Sequence, residues 1–105
     1  MDAQARFAAL VEQFAATPRV QAPDGGRGFG SAALKVGGSI FAMLSSDRLV
    51  VKLPRERVAA LVASGGGAPF DAGKERPMKE WVVVEDQDWQ ALAAEALEFV
   101  AARHR

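Results

Sequence analysis

Apolar residues recur along the chain first at a helical period and then at a strand period. Phe7, Leu10, Val11 and Phe14 fall at i, i+3, i+4 and i+7, so residues 2–16 predict an amphipathic helix with one apolar stripe. Asp2 is placed to cap its start, and Thr17-Pro18 stops it, because the residue before a proline avoids the helical region. Residues 19–28 read as a polar, glycine-rich connector.

The period then shortens. FGSAALKV (29–36), SIFAMLS (39–45) and RLVVKL (48–53) are short, rich in aromatic and β-branched residues, and separated by turn signals, which predicts three strands. Gly37-Gly38 is a two-residue hairpin loop that accepts positive φ at both positions, and Ser46-Asp47 is the expected second turn. With two residues in each loop, Ile40, Ala42, Leu44, Leu49, Val51 and Leu53 share a core face with Phe29 and Ala33. The opposite face then carries Leu34, Val36, Phe41, Met43 and Val50 together with Arg48 and Lys52. A slip of one residue in the second turn swaps the contribution of the third strand.

Residues 54–63 predict a second helix: Pro54 suits the first turn, Val58, Leu61 and Val62 form the stripe, and Gly65 ends it. SGGGAPF (64–70) and most of 71–80 read as loop, with a short extended piece at Phe70, and WVVV (81–84) reads as a strand. Residues 87–102 predict the last helix, buried along Trp89, Leu92, Ala93, Ala96, Phe99 and Val100. Asp86 and Asp88 at its start and Arg103 at its end match the helix dipole.

A chain of 105 residues has room for one domain and one core, so a single domain over 1–105 is expected. Half of the residues are hydrophobic and a quarter charged, as in ordinary globular proteins. Cysteine is absent, which excludes disulfides, thiolate catalysis and cysteine-bearing metal sites, and suits a cytoplasmic location. The one histidine, His104, lies next to the last residue, so neither a fixed histidine base nor a multi-histidine metal site is expected. Asp2, Arg6 and Glu12 interrupt the first apolar stretch, so no signal peptide is expected, and no apolar run approaches a membrane span.

Formal charge is zero but unevenly spread. Residues 19–79 carry ten Lys and Arg against five acids, a net of +5, while residues 80–105 carry six acids against two arginines, a net of −4. Solvated faces that happen to segregate account for this, and so does a basic sheet surface that meets an anionic partner.

DGGRGFGS (24–31) nearly spells a phosphate-binding loop: Gly25, four residues, Gly30, then Ser31. The lysine that reaches the phosphates is missing, and the loop leads into a strand where such a motif needs a helix N-terminus. Gly26-Arg27-Gly28 fails as a dinucleotide fingerprint for the same reason of context. These glycines are expected to serve tight turns, and no cofactor is expected. Ser31, Ser39, Ser45, Ser46 and Ser64 have no fixed histidine to activate them, and Asp86 and Asp88 are explained as helix-start residues, so no enzyme is expected.

Phe29-Gly30 entering a strand, Val36-Gly37-Gly38 followed by Phe41-Ala42, Arg48-Leu49 with Lys52, Pro69-Phe70, and Met78-Lys79-Glu80-Trp81 together resemble the N-terminal domain of TfoX/Sxy competence regulators. The related MmcQ/YjbR family shares the architecture. The resemblance runs from about residue 29 to 85 and rests on order and spacing. It implies an α+β fold of the α-β(3)-α-β(2)-α kind, an antiparallel sheet with helices on one face, similar to secretion-chaperone-like domains. It implies no catalytic activity.

Candidate contact residues follow. Leu34, Phe41, Met43 and Val50 on the second sheet face are expected to meet a partner, because helices on one side leave them exposed, and a homodimer is the expected form. Lys35, Arg48, Lys52, Arg76 and Lys79 are the candidates for contact with an anion or nucleic acid; for Arg76 and Lys79 the alternative is plain loop charge. Trp81 is expected in the core at a strand start, with a contact role as the alternative. The resulting expectation is a small non-enzymatic interaction or regulatory module. A weak nucleic-acid binder that uses Lys35, Arg48, Lys52, Arg55 and Arg57 is the second reading.

Overall fold

In the computed structural model the described residues are 3–21, 33–45, 47–70, 79–84 and 88–103. The expected glycine loop at 24–31 and the candidate Arg76 lie outside them. The chain runs α1 (Ala3–Phe14), β1 (Val20–Gln21), β2 (Ala33–Val36), β3 (Ser39–Ser45), β4 (Arg48–Lys52), α2 (Arg55–Ser64), β5 (Gly67–Pro69), β6 (Trp81–Val84) and α3 (Trp89–Ala102). Six strands form one sheet in the order β1-β2-β3-β4-β6-β5, with every neighbouring pair antiparallel. The class is α+β, with three helices packed against this sheet.

One strand was not expected: Val20–Gln21 pairs with β2 inside the stretch read as connector. Of the two strands that the resemblance implies after the second helix, the first is Gly67–Pro69, which pairs with β6 and ends just before the extended piece expected at Phe70. β1 also steadies the hairpin: the backbone N–H of Gly38 donates to Gln21 Oε1 at 3.1 Å, and that of Gly37 to the Arg19 carbonyl at 3.4 Å. Gly37 and Gly38 have φ of 59° and 88°, the mirror-image turn that suits the right-handed strand twist. The second turn also holds two residues, since Ser45 pairs with Arg48 and Asp47 takes φ of 63°.

The face assignment of the first hairpin is corrected by a β-bulge. Val36 pairs with Ser39 and Lys35 with Ile40, but Leu34 pairs with Ala42, so Phe41 is an extra residue with no partner on β2. A single extra residue on β3 reverses Ser39 and Ile40, and with them the whole of β2, relative to Ala42 and the strands beyond. Leu34, Val36 and Phe41 therefore lie in the core, and Ile40 leaves it. Ala33 likewise moves to the opposite row, where it pairs with Met43.

One core results. The row Leu34, Ala42, Val51 and Val82 crosses four strands, and all three helices bury their stripes on it: Phe7, Leu10 and Phe14 from α1, Val58 and Leu61 from α2, Trp89, Leu92, Ala93, Ala96 and Val100 from α3. All buried side chains described are apolar. Asp88 caps α3 by accepting from the N–H groups of Gln90 (2.9 Å) and Ala91 (3.3 Å). Gly65 ends α2 with φ of 85°, and the N–H of Gly66 reaches back to the Leu61 carbonyl at 2.9 Å. Among the described residues no helix is long and apolar enough to cross a membrane.

Candidate functional site

Strand register defines the second face of the sheet. The row Ala33, Met43, Val50, Val83 and Ala68 crosses β2, β3, β4, β6 and β5, and none of these residues belongs to the cluster that the helices cover. Alternation along the strands adds Lys35 and Ile40 beside Ala33 and Met43, and Arg48 and Lys52 on either side of Val50. Two alternation signals agree on β4, where Leu49 and Val51 face the helices while Arg48, Val50 and Lys52 face away.

Of the four expected partner-contact residues, one keeps the expected place and accessibility. Met43 is on the helix-free face and half-buried. Leu34 and Phe41 are 0% exposed in the core, because the bulge turns them toward the helices. Val50 is on the expected face but also 0% exposed, so it offers no contact surface. The accessible apolar residues of this face are instead Ile40, Met43, Val83 and Ala68, each half-buried.

The cations divide into two groups. Lys35 and Arg48 belong to the helix-free face, with Arg48 exposed and Lys35 half-buried. Lys52 is paired with Trp81 at the far end of β4, and its ammonium lies 5.5 Å from the centre of the indole ring. Trp81 is not part of the core as expected: it is half-buried and its ring faces Lys52 and, at 6.5 Å, Phe70. Exposed Lys79 lies just before it in the chain.

Around Trp81 the surface is concave. A cleft of about 580 Å³ lies between α2 and the β5–β6 end of the sheet, walled by Val58, Val62 and Pro69, with Trp81 as one side and Arg55 and Lys79 at the mouth. A second hollow of about 480 Å³ adjoins it, lined by Lys52, Arg55, Lys79, Glu80 and Trp81. Glu80 is held by Arg103 at 3.2 Å, and Glu56 lies 3.7 Å from Arg55. The pattern along α2 places Val58 and Val62 one turn apart, which was legible; their meeting with Trp81 depends on a strand more than fifteen residues away and was not.

Two ion pairs frame the site. Arg57 of α2 grips Glu95 of α3 through two hydrogen bonds of 2.8 and 3.3 Å, which already gives Arg57 an anionic partner within the chain. Arg103 joins the end of α3 to the start of β6 through Glu80. Among the described residues no group of three or more acidic or histidine side chains is placed to hold a metal. Comparison with family models, with curated proteins and with solved structures gave no match to this chain.

Proposed function

We propose that this protein is a non-enzymatic interaction module that pairs with a second copy of itself through the helix-free face of its sheet. The observation that carries this is the register: Ile40 and Met43 on β3, Val83 on β6 and Ala68 on β5 lie half-buried, on either side of the buried Val50, on a face that no helix of the described residues covers. Lys35, Arg48 and Lys52 stand around them. An apolar centre with a charged rim is the usual anatomy of a protein interface, and long basic side chains can lay their stems on apolar surface while their heads stay in water. A two-fold contact uses the same patch twice and closes. The residues that resemble the TfoX/Sxy N-terminal domain support the same class of role, regulatory binding without catalysis, and the cysteine-free sequence suits the cytoplasm.

Sedimentation velocity on wild type and on Met43→Glu tests the proposal. Wild type is expected to sediment as a dimer at tens of micromolar. Met43→Glu, which forces a carboxylate into the contact, is expected to be monomeric with unchanged circular dichroism. A monomeric wild type, or a variant that stays dimeric, contradicts the proposal.

A second reading, weak nucleic-acid binding, is favoured by one observation: three cations share the helix-free side of the sheet, at Lys35, Arg48 and Lys52. Its affinity for duplex DNA should fall steeply with salt, and replacing Arg48 and Lys52 together with serine should lower both the affinity and the slope. Undetectable binding at low salt removes this reading.

A further inference from the structure

The cleft beside α2 combines two kinds of surface that call for one kind of ligand. Its walls are aliphatic, from Val58, Val62 and Pro69, and Trp81, whose ring also meets Lys52 and Phe70, lines it as well. Its volume of about 580 Å³ falls within the range of small-molecule sites, which are mostly apolar with a few polar groups that fix orientation. The polar groups here are concentrated at one end. Lys52, Arg55 and Lys79 converge on the adjoining hollow, and both hollows share Arg55, Lys79 and Trp81.

Among the described residues, the acids near that end do not balance its positive charge. Glu80 is already engaged by Arg103, and Glu56 is the neighbour of Arg55. Lys52 rests over the Trp81 ring, and Lys79 makes no ion pair among the described residues. Among the described residues, Lys52, Arg55, Lys79 and Arg103 stand against Glu56 and Glu80, a formal balance of two positive charges around the hollow. An anion placed there gains charge-assisted hydrogen bonds without displacing an existing partner of Lys79.

We propose that this cleft binds a small aromatic carboxylate, with its ring between Trp81 and the aliphatic wall of α2 and its carboxylate toward Lys79 and Arg55. The aliphatic walls favour a plain hydrocarbon ring over the ribose of a nucleotide. A ring of two fused six-membered cycles lies well within the available volume. The proposed contacts are with α2, Lys79 and Trp81 and do not involve Met43; among the described residues Lys52 alone borders both this hollow and the rim of the helix-free face.

The test uses 2-naphthoate as probe, with its uncharged methyl ester as control, and follows the indole N–H resonance of Trp81 by NMR. Naphthoate should shift that resonance saturably and leave that of Trp89, which is buried under Arg6, in place. Lys79→Ala should raise the Kd about tenfold, the order of one charge-assisted hydrogen bond. Ala63→Phe fills the cleft from an exposed position on α2, so it should abolish binding without disturbing the fold. Met43→Glu should bind as wild type does, which separates this site from the interface. The absence of a saturable shift at millimolar naphthoate overturns the proposal. So does an ester that binds as tightly as the acid, or binding that survives both Lys79→Ala and Ala63→Phe.

Discussion

The ring of Phe41 meets that of Phe14 edge to face, with centroids 5.8 Å apart and planes at 87°. This contact joins α1 to the middle of the sheet, and it exists because Phe41 is the extra residue of a bulge. Without the bulge, alternation would put Phe41 and Ala42 on opposite faces; with it, both belong to the core. The same bulge separates the two apolar neighbours Phe41 and Met43 into different roles, one structural and one accessible.

Truncating them should show this. Phe41→Ala removes a fully buried ring and should destabilise the fold by ~3–5 kcal/mol in urea unfolding. Met43→Ala, at a half-buried position outside the core cluster, should lower the stability of the monomer by less than ~1 kcal/mol. Equal losses at the two positions would contradict the bulge.

Gly67 is expected to tolerate no side chain. A Cβ there would lie 2.5 Å from Val82 Cγ2, 3.3 Å from the Val83 carbonyl oxygen and 3.4 Å from Leu61 Cβ. Val82 is fully buried and branched at its own Cβ, so it has little room to turn away. Gly67→Ala should destabilise by ~1–3 kcal/mol through overpacking. Gly65→Ala has open space but a φ of 85°, so its smaller loss of ~1 kcal/mol should arise from backbone strain alone. Thermal melts of both variants separate the two causes only in size, so a crystal structure of Gly67→Ala should also show β5 displaced from β6.

The three helices were legible because their stripes repeat at 3.6 residues over ten or more positions, and each structural helix lies within about two residues of its expected bounds. Both two-residue turns were legible from their residue types. The bulge was not, because Ile40, Phe41 and Ala42 are all apolar and fit either face equally well. β1 was not, and of β5 only the existence of a second strand near Phe70 was expected and not its place, because two residues in one case and Gly-Ala-Pro in the other carry no strand preference; pairing with an existing edge makes them strands. The candidate site suffered accordingly. Met43, Arg48 and Lys52 were placed on the face where they are found, since β3 from Ala42 onward pairs regularly with β4, whereas Leu34 and Phe41 were misplaced by the bulge between β2 and β3.

The Arg57–Glu95 pair offers a test of how α2 is fixed to α3. Its two hydrogen bonds are well formed, but the side chains are 43% and 40% exposed, so solvent and salt screen them. A double-mutant cycle of Arg57→Ala and Glu95→Ala should give a coupling of about 0.5–1 kcal/mol, and less at high salt. A coupling near zero at low salt would show that apolar packing alone positions the helix that walls the cleft.

Self-association through the helix-free face is the claim on which the functional account depends most, and its ionic-strength dependence tests it most directly. Two copies would bring Lys35, Arg48 and Lys52 of each near those of the other, and like charges at a rim repel. Raising salt from about 50 mM to about 500 mM screens that repulsion. Sedimentation equilibrium across that range should therefore show the dimer tightening as salt rises, opposite in sign to nucleic-acid binding. A chain that stays monomeric at tens of micromolar throughout, or a dimer that loosens with salt, would contradict the account.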